Sequence, residues 1–215
     1  MRDPAYAAGA QKYMKSAMPY LGVRMPDLRR AQRSVFAAHP LETEDDLQAE
    51  LRALWDEADF REERYTALAL LNRYPQWVSL ALLERLIIEG SWWDYVDTLA
   101  RRVGDLLRRD RSVAKAMRAW SRDANMWKRR ASIICQLGFR ERTDLDLLYD
   151  CIEPNLDDRE FFVRKAIGWA LRDHAWHDPH EVDRYVREHA DRLSPLSRRE
   201  ATKNLARLLA SETSR

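Results

Sequence analysis

Two cysteines in 215 residues, Cys135 and Cys151, cannot build a disulfide framework, and neither stands in a C-x-x-C pair of metal-binding type. Both fall among apolar helix-like positions and read as reduced packing residues. Only six glycines interrupt the chain, and none forms the glycine-rich loop that cradles nucleotide phosphates. The G-x-S-x-G and H-E-x-x-H patterns are also missing, so serine-triad and zinc-protease chemistry have no support. No apolar run approaches the roughly 20 residues that a bilayer requires, and the opening MRDPAYAAGAQKYMKSAM lacks a signal-peptide core. A soluble, cytoplasmic monomer is expected. Strand-like alternation is absent at any length.

What remains is helical periodicity almost throughout. Start signals stand at Pro26, TEDD (43–46), Pro75, Asn125, TDLD (143–146), DDRE (157–160), DPHE (178–181) and Ser194-Pro195. They predict about a dozen helices of roughly 8 to 17 residues joined by short turns. A weak recurrence every roughly 30 to 40 residues, in ERYTALALLNRYP, SWWDYVDTLARRV, WKRRASIICQLGF and FFVRKAIGWALRD, points to a HEAT-like solenoid over a single domain, residues 1–215. A non-repeating bundle would show much the same periodicity.

The net charge is only +2, but it is unevenly spread: residues 101–142 carry thirteen Lys or Arg against four acidic residues, and residues 42–63 carry ten acidic residues against two arginines. Such segregation fits one basic surface, as in nucleic-acid binders; solvated helix faces would give the same count.

The stretch SWWDYVD (91–97) concentrates unusual groups. Ser91 and Asp94 read as a capping box that opens a helix after Gly90. Trp92, Val96, Leu99, Ala100 and Val103 then share a core face, while Asp97 lies at i,i+4 from Trp93 with no capping duty to explain it. On MWKRRASIICQL (126–137), Arg130 falls inside the apolar arc and Lys128 and Arg129 outside it. A guanidinium there needs a carboxylate, a carbonyl or an external anion, so an internal Arg–Asp pair and an anion contact are both open. On EFFVRKAIGWALRD (160–173), Trp169 borders the arc of Phe162, Val163, Ala166, Ile167 and Ala170, with Lys165 beside it. Each boundary tryptophan could be ordinary packing; in a solenoid, Trp93, Asp97, Arg130 and Trp169 would approach one groove. His174, His177 and His180 with Asp173 and Asp178 are split by the Asp178-Pro179 helix start and predict a polar turn, not a metal site.

The stretches SWWDYVD, MWKRRASIICQLGFRERTDLDLL, DDREFFVRKAIGWALRDH and LSPLSRREATKNL, with a weaker match at YMKSAMPYLGVRMPDLRR, resemble the DNA alkylation repair family of AlkD-like DNA glycosylases over nearly the whole chain. The resemblance implies an all-α, HEAT-like solenoid with a concave basic groove for duplex DNA. It also implies excision of cationic N3- and N7-alkylated purines without metal or cofactor and without flipping the base. Asp97 matches the catalytic carboxylate, Trp93 and Trp169 the rings flanking the sugar, and Arg130 an arginine on the DNA backbone. Tyr13 aligns with a further residue on the DNA side, and Arg129 and Lys165 are candidate phosphate contacts. The chain starts close to the first matched helix, so contacts that relatives make from a longer N-terminal segment are not expected of it. The chemistry suits these residue types: an alkylated purine is already a good leaving group, so the enzyme must mainly stabilise an oxocarbenium-like sugar. A fixed carboxylate and electron-rich indoles can do that. The alternatives are a noncatalytic protein binding bent or branched DNA, and a helical scaffold for acidic protein segments.

Overall fold

Capping chemistry sets most of the helix starts. Thr43 closes a reciprocal capping box with Asp46; Asn125 accepts from the Trp127 amide, Asp178 from Glu181 and Ser194 from Ser197. The computed structural model describes the backbone of residues 2–213 and the side chains of residues 2–210, and it is all-helical there, with no strand. The chain divides into two compact units, residues 1–78 and 79–215.

The first unit holds α1 (Pro4–Met14), α2 (Met25–Ala38), α3 (Glu44–Leu51) and α4 (Arg61–Arg73), with a π-helical turn, Arg52–Asp56, after α3. Leu47, Leu51, Trp55, Ala67 and Leu71 are fully buried at its centre. Glu62 is buried as well, and its carboxylate accepts the amides of Leu21, Gly22 and Val23 at 2.9, 2.9 and 3.1 Å. Three donors on one carboxylate satisfy its charge and pin the α1–α2 connection to α4.

The second unit runs α5 (Leu80–Gly90), α6 (Trp93–Arg109), α7 (Val113–Trp120), α8 (Met126–Ile134), α9 (Leu145–Ile152), α10 (Phe161–His174), α11 (Pro179–Glu188), α12 (Pro195–Thr202) and α13 (Leu205–Thr213). Alternate helices form one row: α6 packs on α8, α8 on α10 and α10 on α12, while α7 packs on α9 and α11 on α13 behind it. Two glycines permit the close approaches in the front row. A Cβ at Gly104 on α6 would meet the Cys135 carbonyl oxygen at 2.1 Å, and one at Gly168 on α10 would meet the Glu200 Cβ at 2.5 Å and the Ser197 carbonyl oxygen at 2.6 Å. The front row therefore carries the three stretches of sequence that held the anomalous tryptophans and charges.

Four predicted starts shift. Ser91 does not cap α6: it takes the left-handed conformation (φ 41°) that ends α5, and its hydroxyl donates to the Ile88 carbonyl. With only two residues between the two helices, Ser91 serves as the terminator, and Trp92 becomes the N-cap of α6 without a side-chain bond. Asp94 still lies in the first turn, where a carboxylate favours the positive end of the helix dipole. Pro75 opens only a 3₁₀ turn (Pro75–Trp77), and Ser79 caps α5. Asp144, not Thr143, caps α9. Asp158 closes a turn onto the Glu160 amide, and α10 begins at Phe161.

Candidate active site

Asp97 projects from the second turn of α6 and Arg130 from the middle of α8, and the two meet face to face. Arg130 Nε donates to Asp97 Oδ1 at 2.7 Å and Nη2 to Oδ2 at 2.9 Å. The third guanidinium nitrogen, Nη1, donates to the Phe162 carbonyl on α10 at 2.6 Å. One side chain thus ties three adjacent helices together and holds the carboxylate in a two-pronged grip. The Arg130 side chain is 4% exposed, the Asp97 side chain 16%. Arg130 occupies one lone pair on each Asp97 oxygen, so each keeps another to offer a water or substrate at the open edge. Burial pushes the Asp97 carboxyl above the ordinary carboxylate range; the Arg130 hydrogen bonds and charge pull it back, Asp94 adds to the rise and Arg101 opposes it.

Phe162, whose carbonyl Arg130 holds, belongs to an aromatic cluster. Trp92, Trp127 and Phe162 cluster with ring centroids 5.1 to 6.1 Å apart, tilted or edge-on. They come from the start of α6, the start of α8 and the start of α10, and the Phe162 ring centroid lies 5.9 Å from the Arg130 guanidinium carbon. That packing places Trp92 at the cap position against helix-capping preference. Trp93 is half-buried, one turn before Asp97 on the same helix.

Trp169, two turns along α10 from Phe162, is half-buried and lines a cleft of about 290 Å³ together with Arg101, Arg102, Asp105 and Arg108 of α6 and Gly138 and Phe139 of the α8–α9 connection. The other candidate cations are engaged in structure. Arg129 pairs with Asp158 at 3.0 Å and donates to the Asp123 and Ala124 carbonyls. Lys165 lies 3.5 Å from Glu200, which also binds Arg172. Tyr13, in the first unit, is 78% exposed. Sequence reading picked out Asp97 and Arg130 separately and left two roles open for Arg130; the structure joins them as the internal pair. It did not single out Trp127, it read Phe162 only as part of an apolar arc, and Arg101 and Arg108 entered it only within the basic segment 101–142.

His174 is buried with both ring nitrogens unpartnered; burial, with the neighbouring His177, holds its pKa below the ordinary histidine value.

The chain matches the family model described as DNA alkylation repair enzyme over residues 1–205. No curated protein matches it. Among solved structures, it resembles one from Enterococcus faecalis described as a predicted DNA alkylation repair enzyme, at 28% identity, covering 96% of this chain and 97% of that one, with a TM-score of 0.86. A second, smu.31 from Streptococcus mutans UA159, shares the fold at 17% identity and a TM-score of 0.62, over 93% of this chain and 97% of that one. A match running through both units, with the Asp97–Arg130 pair inside it, places this chain in the DNA alkylation repair enzyme family.

Proposed function

We propose that the protein is a monofunctional DNA glycosylase that releases cationic N3- and N7-alkylated purines, 3-methyladenine and 7-methylguanine, from duplex DNA, acting as a monomer without metal and without flipping the base. The observation that carries this reading is a carboxylate held on both oxygens by a buried arginine, with an open edge one helical turn from a half-buried indole. A carboxylate so held cannot swing to follow a ligand; its negative charge is fixed in place before the substrate arrives, which is what stabilises a cation that exists only at the transition state.

In this mechanism the C1′–N bond breaks first in the transition state, and its electron pair neutralises the purine's positive charge. The sugar becomes oxocarbenium-like beside Asp97, with the Trp93 and Trp169 indoles favouring the cation by their faces. Water adds to C1′ and gives up a proton, leaving the free base and an abasic sugar. Arg130 acts as a positioning residue for Asp97 rather than as a phosphate contact, because all three of its nitrogens are engaged inside the protein. Lys165 is assigned no Schiff-base role: its amine stands 3.5 Å from the Glu200 carboxylate, and direct hydrolysis needs no covalent adduct.

The deciding assay incubates the protein with duplex DNA containing 7-methylguanine and measures free base. Release that disappears in a folded Asp97→Asn variant supports the proposal. Tight duplex binding with no release from any alkylated purine would move the protein to the noncatalytic class of binders of bent or branched DNA.

A further inference from the structure

The cleft beside Trp169 has a charge balance that the fold does not use up. Arg102 and Arg108 both pair with Asp105, at 3.1 and 3.0 Å. The other carboxylate in the lining, Asp173, is engaged with the Gly138 amide at 2.7 Å. Arg101, which lines the same cleft, makes no ion pair or hydrogen bond among the described residues and is exposed. Three guanidinium groups therefore face two carboxylates. The Arg108 guanidinium lies over the Phe139 ring, with its carbon 3.9 Å from the centroid, a contact that restrains the side chain and its remaining donors.

Position gives this excess charge a meaning. At about 100° and 1.5 Å per residue, Arg101 and Arg108 lie within about 40° of Asp97 around α6, roughly 6 and 16 Å further along its axis. Arg101 is close enough for its charge to be felt at the Asp97 carboxyl. The Trp169 ring forms one side of the cleft. Cationic forks next to an aromatic wall, opening onto the same helix face as the candidate carboxylate, suit an anion that is carried by the substrate itself.

We propose that this cleft is a phosphodiester-binding subsite, in which Arg101, with Arg108 supporting it, holds one backbone phosphate of the lesion-bearing strand within about five nucleotides of the damaged purine. The inference rests on the glycosylase reading and supplies a backbone contact beyond Arg130, Arg129 and Lys165, which are all engaged with protein groups. Arginine suits the role because its planar fork can take two phosphate oxygens at once.

The test scans duplexes that carry one 7-methylguanine and a single uncharged methylphosphonate at each of the five linkages on either side of it. Wild type, Arg101→Ala and Arg101→Lys are compared by single-turnover base release and, on the same duplexes, by gel-shift titration. Arg101→Ala should raise the half-saturating protein concentration about five- to tenfold and lower the salt slope of binding by about one charge, with Arg101→Lys in between. One methylphosphonate position should weaken wild type by a similar factor and add nothing in Arg101→Ala. If every linkage weakens the two proteins alike, the cleft holds no phosphate. Thermal protection of wild type by millimolar inorganic phosphate, with no linkage-specific effect, would assign the cleft to a free anion and overturn the proposal as well. Linkage-specific binding without any base release would leave the phosphate subsite standing and sink the glycosylase reading instead.

Discussion

Replacing Arg130 by alanine separates two roles that sequence alone left open. A phosphate-contacting arginine, once removed, weakens DNA binding and lowers its salt slope by about one charge, while release at saturating DNA changes little. A positioning arginine gives the reverse pattern. In the structure its removal deletes two bonds to Asp97 and one to the Phe162 carbonyl, and leaves a mostly buried carboxylate without a partner. Losing one member of a buried pair destabilises proteins by about 3–5 kcal/mol; the partial exposure of Asp97 lowers the expectation to about 2–4 kcal/mol. For a chain of this size that corresponds to a fall of roughly 5–15 °C in Tm. The freed carboxylate can rotate and picks up a proton more readily, so the maximal single-turnover rate should drop on the order of 10- to 100-fold, with the salt slope of binding unchanged. Rates are to be measured well below the variant's melting temperature, after circular dichroism shows native helicity. A variant with wild-type maximal rate and a reduced salt slope would refute the positioning role and return Arg130 to the DNA backbone.

The acid limb of base release should fall above the ordinary carboxylate value of 3.8, because Asp97 must be ionised and burial raises its pKa; in Arg130→Ala, which loses the groups that pull it back, the limb should move further up in a rate profile from pH 4.5 to 8. His174 acts with the opposite sign: its folded-state pKa is depressed below 6.5, so its contribution is intact above pH 6.5 and is lost as pH falls through 6.5 towards the depressed value. His174→Phe should accordingly lose less stability than wild type between pH 7 and 5 in urea titrations, and equal losses would contradict the assignment. Gly168→Ala should destabilise by about 2–3 kcal/mol in the same titrations, since its Cβ meets the Ser197 carbonyl at 2.6 Å on α12; a neutral result would mean that the α10–α12 contact yields easily. Asp97→Asn should slow release on the order of 100-fold or more, yet Asp94→Asn less than twofold, because Asp94 sits in the first turn of α6, where its asparagine keeps a polar side chain.

The periodicity of apolar residues, and caps such as Thr43, Asn125, Asp178 and Ser194, determined an all-helical chain and many of its boundaries without reference to anything distant. These signals are local: a side-chain oxygen reaches an amide two or three residues away whatever the rest of the fold does. Asp97 was legible for the same reason, as a carboxylate one turn from an indole with no local task. Arg130 was legible only as a charge on an apolar face, and helical spacing cannot say what satisfies it. Tertiary structure decided that, by bringing α6, α8 and α10 side by side so that residues 33 positions apart form a two-pronged bond. It also overruled a local rule at Ser91, where the end of α5 and the packing of Trp92 against Trp127 and Phe162 outweighed a favourable cap. The cleft that joins Arg101 and Arg108 to Trp169 showed in the sequence only as a basic segment and a boundary tryptophan, with nothing local to link them. Whether a surface arginine is neutralised depends on which carboxylates the neighbouring helices deliver, and that follows from how the helices stack rather than from the order of residues along any one of them.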